Sequence, residues 1–279
     1  MKKVGFIDYY LHEWHSDNYP EWISKASDGE YQVTHCWGEI DSPKPGGMTN
    51  VQWAAKFGFE LCNRIEDVIE ACDVLCVLAP DNPETHERLC QLPLRSGKPT
   101  FVDKTFAPDK ATAERLMQIA ESSDTPCIST SALRYADELS QIRNNAINSI
   151  TSIGGGNFRI YVMHQIEMLV KILGMDALRV KAVGNKATPT FFVEFSGRET
   201  ALIVCPSPGA PSQLIIDYLD GQSQTLTINS DFFAACMKDI VKFYDTGEIV
   251  VPHKQTIAVM AIREACLKAF DSFDDWIIV

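Results

Sequence analysis

The chain has 279 residues, of which 46% are hydrophobic and 22% charged, and this favours a globular protein of two domains. Its formal charge of −12 would repel phosphate backbones and anionic lipids, so we expect no nucleic-acid partner and no membrane role. The nine cysteines form no CxxC pair, and the N-terminal apolar run is too short for a signal peptide. We therefore expect a reduced protein in the cytoplasm.

The first half of the chain alternates strand-like and helix-like segments. Its predicted strands are apolar throughout, which is typical of a parallel sheet buried on both faces. The strands are predicted at 3–7, 31–37, 74–78, 99–102 and 126–129, and the helices at 18–25, 49–57, 66–71, from 84 onward and at 109–123. In the first helix we place Asn18 at the cap and Pro20 in the first turn. This order predicts a doubly wound α/β sheet.

The pattern changes after about residue 131. One polar helix is predicted over 135–150, and a second helix, "HQIEMLVKIL", ends at Gly174. Strand-like runs then follow without helices between them, at 178–183, 190–195, 201–205, 214–218 and 224–228. Helices at 232–245 and 257–273 close the chain. We therefore predict a second, smaller α+β domain with an open antiparallel sheet.

Lys104 lies just past a predicted buried strand, in "LRSGKPTFVDKTFAPD". Ligands of parallel sheets bind beyond the carboxyl ends of the strands, so this lysine is expected to face a crevice behind Asp103. A lysine in a dry cleft can donate a proton or polarise a substrate oxygen. The competing interpretation is an ordinary surface lysine in a strand–helix loop.

His164 lies at the start of the amphipathic segment "HQIEMLVKILG". An imidazole there could remove a hydroxyl proton while hydride leaves the same carbon. The competing interpretation is a buried histidine bonded to the backbone. His12 and His15 in "HEWH" are spaced so that they could share a metal ion, but the pattern is not HExxH, and two loop histidines are the simpler interpretation.

The order of several segments resembles the Gfo/Idh/MocA family of glucose–fructose oxidoreductases and inositol dehydrogenases. "GKPTFVDKTFA" is similar to the family's lysine motif, and "HQIEMLVKILG" to its HxxDxxxWLLG, with Glu167 for aspartate. The path through "CDVLCVLAPDNPETHERL", the helix "LRYADELSQIRNNAI" and the closing helices also follow the family. The resemblance spans nearly the whole chain.

The resemblance implies a Rossmann-type dinucleotide-binding domain over residues 1–130 and a substrate and oligomerisation domain over 131–279. It implies NAD or NADP as cofactor, a small-molecule substrate, and a homodimer or homotetramer formed through the C-terminal sheet. Lys104 and His164 match the family's catalytic residues. The expected cofactor contacts are Asp8, Tyr9, Tyr10, Glu39, Ala79, Pro80, Asp81, His86, Asp103 and Lys104.

The sequence departs from the family pattern at several points. The GxGxxG turn after the first strand is absent, and the matching positions carry Asp8, Tyr10 and Glu13, which would crowd or repel a pyrophosphate. Contact with phosphate would then fall to the side chains of Tyr9, Tyr10 or His12. Glu39 could accept a hydrogen bond from a ribose hydroxyl or be a solvated loop charge.

Thr105 replaces the proline of the lysine motif, so the special backbone geometry there is expected to be lost. Ile160 replaces an aspartate four residues before the histidine, which removes a relay partner. Two functions follow: an NAD(P)-dependent oxidoreductase of a sugar, polyol or related hydroxy compound, or a non-catalytic relative that has lost dinucleotide binding and serves as a ligand-binding or assembly module.

Overall fold

The computed structural model describes residues 1–143, 146–197 and 199–279. The chain forms two compact units. Unit 1 contains Met1–Thr130 and Cys236–His253, and unit 2 contains Ser131–Ala235 and Lys254–Val279. The chain therefore returns to unit 1 at Cys236, within the range 131–279 that the sequence assigned to the second domain.

Unit 1 is built on a six-stranded sheet whose strand pairs are all parallel. The strand order is β3-β2-β1-β4-β5-β6, in which two halves meet beside β1. The predicted doubly wound sheet is thus confirmed. The strands are β1 (Lys2–Asp8), β2 (Tyr31–Gly38), β3 (Glu60–Leu61), β4 (Val74–Val77), β5 (Thr100–Val102) and β6 (Cys127–Ile128).

Five helices connect these strands: α1 (Trp14–Ala26), α2 (Asn50–Phe57), α3 (Ile65–Ala71), α4 (Pro83–Leu89) and α5 (Lys110–Ser122). Thr49 caps α2 and Gly58 ends it in the left-handed conformation, as predicted. The start predicted for α1 is wrong, because Glu13 caps the helix and Pro20 lies inside it. The capping box here has Glu at the cap and Ser16 three residues later, the reverse of the usual order.

Unit 2 contains a seven-stranded sheet in the order β12-β11-β7-β10-β9-β8-β13. Its pairs are antiparallel except β7 with β10, so the sheet is mixed rather than wholly antiparallel. The strands are β7 (Ile147–Ile153), β8 (Ala177–Asn185), β9 (Thr188–Phe195), β10 (Thr200–Val204), β11 (Gln213–Tyr218), β12 (Ser223–Thr227) and β13 (Trp276–Ile278). Helix α6 (Phe158–Leu173) follows β7, and α8 (His253–Asp271) lies near the end of the chain, whereas most of α7 (Phe232–Thr246) falls within the Cys236–His253 segment of unit 1.

The single helix predicted over 135–150 is wrong. Short 3-10 turns occupy Ala132–Tyr135 and Asp137–Gln141, and β7 begins at Ile147, while residues 144 and 145 lie outside the described residues. The segment "INSITSI" alternates β-branched and polar side chains, and this period of two favours a strand. Among residues 1–143, 146–197 and 199–279, no helix combines the length and apolar character that crossing a bilayer requires.

Candidate active site

The carboxyl ends of β1, β4 and β5 meet at one edge of the parallel sheet. Ile7 pairs with Val77, and Val77 pairs with Val102. Asp8, the last residue of β1, and Asp103, the first residue after β5, therefore lie at the same edge of the sheet. Both are buried, with 1% and 0% of their surface exposed.

Lys104 is not a surface lysine, because only 7% of its surface is exposed. Its backbone N–H donates to Oδ1 of Asp103 at 2.8 Å, and its Nζ lies 3.5 Å from Oδ1 of the half-exposed Asp81. The peptide bond between Lys104 and Thr105 is cis. The sheet edge thus holds a buried ammonium group directly behind a buried carboxylate.

Asp103 is the centre of a buried polar cluster. Nδ1 of His15 lies 2.5 Å from its Oδ2, and the hydroxyl of Tyr19 donates to its Oδ1 at 3.3 Å. Burial alone would raise the pKa of Asp103, but the charge and hydrogen bond of His15 and the charge of Lys104 lower it. Asp103 is therefore a carboxylate at neutral pH. Sequence reasoning missed His15 as its partner, because the two lie far apart along the chain.

Glu13 occupies the N-terminal end of α1. Its carboxylate accepts from the N–H of His15 at 2.8 Å and from the N–H of Ser16 at 2.5 Å. Only 6% of Glu13 is exposed, and burial raises the pKa of its carboxyl group. An anionic side chain already binds the N–H groups that a helix N-terminus otherwise offers to a ligand.

Asp8 adds a second carboxyl group beside this one. Its Oδ1 accepts from the N–H of Tyr9 at 2.7 Å, and its Oδ2 has no hydrogen-bond partner within the described ranges. Burial, and then the charge of Glu13, raise the pKa of Asp8 well above its usual range.

Tyr9 and Glu39 contact the same arginine. Glu39, just after β2, forms a bidentate ion pair with Arg88 of α4, with Nη2 to Oε2 at 2.6 Å and Nε to Oε1 at 2.9 Å. The guanidinium carbon lies 5.4 Å from the ring centre of Tyr9. Glu39 is exposed, and Arg88 is the partner that the structure gives its carboxylate.

Asn50 ties the β1–α1 loop to the end of β2. Its Oδ1 accepts from the N–H of Leu11 at 3.2 Å, and its Nδ2 donates to the carbonyls of Gly38 and Ile40 at 3.0 and 2.9 Å. A Cβ on Gly38 would lie 2.6 Å from this amide, so only glycine fits there. Sequence reasoning missed Asn50, and the glycine at the end of a predicted strand was the available signal.

Tyr10 and His12 lie in the same loop. Tyr10 is buried, and Nζ of Lys44 lies 5.3 Å from its ring centre. His12 accepts from the N–H of Met48 at 2.8 Å. Among the residues that the structure describes, no three His, Cys, Asp or Glu side chains come together as metal ligands.

The segment after β4 is held from within the protein. Ala79 is buried and takes the left-handed conformation with φ of 78°, which strains a non-glycine residue and is found mostly at functional sites. The carbonyl of Pro80 accepts from the N–H of Thr105 at 3.3 Å. His86 is fully buried, with Nδ1 3.0 Å from the carbonyl of Phe106 and Nε2 on the carbonyl of Leu78. Burial lowers the pKa of His86, while its contacts with the two carbonyls act in the opposite direction.

In unit 2, His164 lies in the second turn of α6 rather than at its start. Its Nδ1 lies 2.6 Å from Oγ of Ser131. The ring of the half-exposed Tyr161 lies 5.4 Å away, centre to centre. This contact with a hydroxyl group holds the orientation of the imidazole ring.

Glu167 forms a buried ion pair with Arg134. Their atoms Oε1 and Nη1 lie 3.2 Å apart, and the side chains are 4% and 8% exposed. Gln255 of α8 accepts from Nη2 of the same arginine. Glu167 therefore pairs with an arginine that sequence reasoning did not single out.

The structure brings most of the sequence-predicted residues of unit 1 to one sheet edge. At or next to the buried polar cluster lie Asp8, Asp81, Asp103 and Lys104. Tyr9 and Glu39 instead contact Arg88. His86 lies in the core. His164 belongs to unit 2, and its convergence with Lys104 stays a prediction.

Residues 39–130 match the sequence profile of the Gfo/Idh/MocA family, described as an oxidoreductase family with an NAD-binding Rossmann fold. The resemblance noted in the sequence is thereby confirmed. The match includes Lys104 and starts just after β2, beyond the loop that lacks the glycines.

Solved structures of Gfo/Idh/MocA type share this fold along almost the whole chain. GenD2 from gentamicin A biosynthesis, solved in complex with NAD, is 13% identical with a TM-score of 0.79 over 100% of this chain and 97% of that chain. UDP-N-acetylglucosamine 3-dehydrogenase from Acidithiobacillus ferrooxidans is 13% identical, with a TM-score of 0.76 over 98% of both chains. Myo-inositol 2-dehydrogenase from Lactobacillus plantarum is 13% identical, with a TM-score of 0.76 over 100% of this chain and 99% of that chain. No curated protein matches the sequence significantly.

The head of α1 does not fit the pyrophosphate of an NAD(P) cofactor as it stands. In dinucleotide-binding sheets, glycines let the pyrophosphate reach the first helix N-terminus. Here the Glu13 carboxylate holds two of those N–H groups, and Asp8 lies beside it. The family binds NAD, whereas this part of the chain presents buried carboxyl groups where a phosphate would approach.

Proposed function

We propose that the protein is an NAD(P)-dependent oxidoreductase acting on a carbinol carbon of a sugar, polyol or related hydroxy compound. The observation that carries the proposal is the buried Lys104 at the carboxyl edge of the sheet, inside the segment that matches the sequence profile of the Gfo/Idh/MocA family. The dehydrogenases with the same fold support the choice of substrate class.

Lys104 would act on the substrate oxygen. Its Nζ lies 3.5 Å from the carboxylate of Asp81, and the residue follows the ionised Asp103 along the chain. A cation there stabilises the negative charge that develops on a hydroxyl oxygen as it loses its proton.

His164 would accept that proton during oxidation and return it during reduction. The contact with Ser131 at 2.6 Å supports this role, because it holds the ring through Nδ1 and takes the place of the relay partner that Ile160 removes.

Turnover with NADH, NADPH and their oxidised forms on a panel of sugars, inositols and other polyols tests the proposal. Lys104→Met and His164→Ala are each expected to lower kcat by about 10²–10⁴-fold, with folding checked by circular dichroism. Lys25→Met and His35→Ala, which change a lysine and a histidine outside the site, are the matched controls. Equal rates in all four variants would remove both catalytic roles.

The second candidate function is a relative without catalysis, used as a ligand-binding or assembly module. The Glu13 carboxylate at the head of α1 is the observation in its favour, although the comparisons favour the oxidoreductase. Titration with NADH and NADPH separates the two. Micromolar binding supports the enzyme, and no binding at millimolar cofactor supports the module.

We also propose that unit 2 forms a homodimer or homotetramer through its sheet. A row of half-buried side chains crosses four neighbouring strands, from Phe192 through Leu202 and Thr151 to Ile215. Open apolar sheet faces are usually covered. Light scattering after size exclusion is expected to give a multiple of the chain mass, and Leu202→Glu to return it to the monomer. A monomeric wild-type protein at micromolar concentration would refute this.

A further inference from the structure

The Glu13 carboxylate sits where an anionic ligand would bind α1. It accepts from the N–H of His15 at 2.8 Å and of Ser16 at 2.5 Å, while its own N–H faces Oγ of Ser16 at 3.4 Å. These are first-turn N–H groups of a helix of thirteen residues, the kind of donor to which phosphates bind. An internal anion therefore already satisfies them.

The surroundings of Glu13 are acidic as well as buried. Asp8 is 1% exposed, and its Oδ2 has no partner in the part of the chain that the structure describes. The charge of Asp103 acts on both Glu13 and Asp8 and raises the pKa of each. His15 offsets part of this charge through its ion pair with Asp103. A pyrophosphate that approached this point would meet a carboxylate on its own donors and a second carboxyl group beside it.

We propose that Glu13 is a resident anion in the position of the dinucleotide pyrophosphate, and that NAD(P) binds this chain only by displacing it. The inference rests on the proposed function, since it takes NAD(P) as the ligand of unit 1. Glu13 thereby sets the affinity for the cofactor, and it does so by competition for N–H groups rather than by contact with the reacting atoms.

Two substitutions separate the charge of Glu13 from its size. Glu13→Ser keeps a capping oxygen, because serine is among the best N-cap residues, and removes both the carboxylate and its reach. Glu13→Gln keeps the size and removes the charge. Binding is measured without substrate, by the fluorescence of NADH and NADPH and by calorimetry with ADP-ribose.

Glu13→Ser is expected to lower the Kd for NADH by about tenfold or more, and Glu13→Gln by a smaller factor, because the amide still fills the site. Asp109→Ser is the matched control, since Asp109 caps α5 in the same unit through the N–H of Thr112 at 2.7 Å. This control is expected to leave the Kd unchanged. Thermal melts of all three variants show whether each one folds.

An unchanged or weaker affinity in a folded Glu13→Ser variant overturns the inference, and so does the absence of NADH binding in both the wild type and this variant. Its failure can be told apart from that of the proposed function. Turnover that depends on Lys104 together with a Kd insensitive to Glu13 leaves the enzyme and removes the inference. A Kd that falls in Glu13→Ser with no turnover of any substrate leaves the inference and removes the enzyme.

Discussion

Replacing Glu167 by leucine is expected to lower the free energy of unfolding by about 3–5 kcal/mol, because it leaves the guanidinium of Arg134 buried without its carboxylate. At an effective dielectric constant of about 20, opposite unit charges 3.2 Å apart attract by about 5 kcal/mol. The hydrogen bond to Gln255 remains and reduces the loss. Lys171 donates to the carbonyl of Arg134 at 2.6 Å, so a second cation also stays close.

The double variant Arg134→Met/Glu167→Leu distinguishes an unpaired charge from lost packing. Replacing both partners with apolar side chains of similar volume removes the charge together with its partner, so we expect stability within about 1 kcal/mol of the wild type. Urea unfolding followed by circular dichroism measures all variants. Asp271→Asn, in the exposed ion pair with Arg159, is the control and should change little. A double variant as unstable as Glu167→Leu alone would refute the charge argument.

Two further predictions concern loops. Gly38→Ala is expected to lower the free energy of unfolding by about 2 kcal/mol, because its Cβ would push away the Asn50 amide that makes three hydrogen bonds. In urea unfolding, the double variant Gly38→Ala/Asn50→Ala should be no less stable than Asn50→Ala alone. The second prediction concerns the pKa of Glu138. Burial would raise this pKa, but hydrogen bonds from the hydroxyl and N–H of Ser230 and from the N–H of Asn229 lower it to about 2. A carboxyl group whose pKa is lower in the folded than in the unfolded protein stabilises the fold above the unfolded pKa, and this stabilisation is lost as the pH falls. Glu138→Gln should therefore cost about 1 kcal/mol at pH 7, and its difference from the wild type should vanish between about pH 4.5 and pH 2. A difference in stability that does not depend on pH would contradict this.

Local patterns in the sequence were enough to predict the parallel sheet. Apolar runs such as 74–78 show burial on both faces, and the caps Thr49 and Gly58 mark a helix within a few residues. The local patterns failed where the helical period and the strand period of two residues both fit a short segment. The segment 135–150 has helix-forming residues, but pairing with β10 and β11 makes its last part, from Ile147 onward, a strand.

The site was predictable only in part. Its position after Asp103 follows from the strand order, because residues just past parallel strands share one edge. The absent glycines were also visible in the sequence. That Glu13 would itself bind the N–H groups of His15 and Ser16 was not, because its capping box reverses the usual order of residues.

The sequence by itself determined which residues carry charge and which segments are apolar, and with them the alternation of strand and helix. Only the tertiary structure decided which charged side chains pair with one another. His15 lies against Asp103 and Arg134 against Glu167, each across many residues of chain. Burial makes an unpaired charge costly, so the folded chain matches charges by their distance in space, which local sequence does not encode.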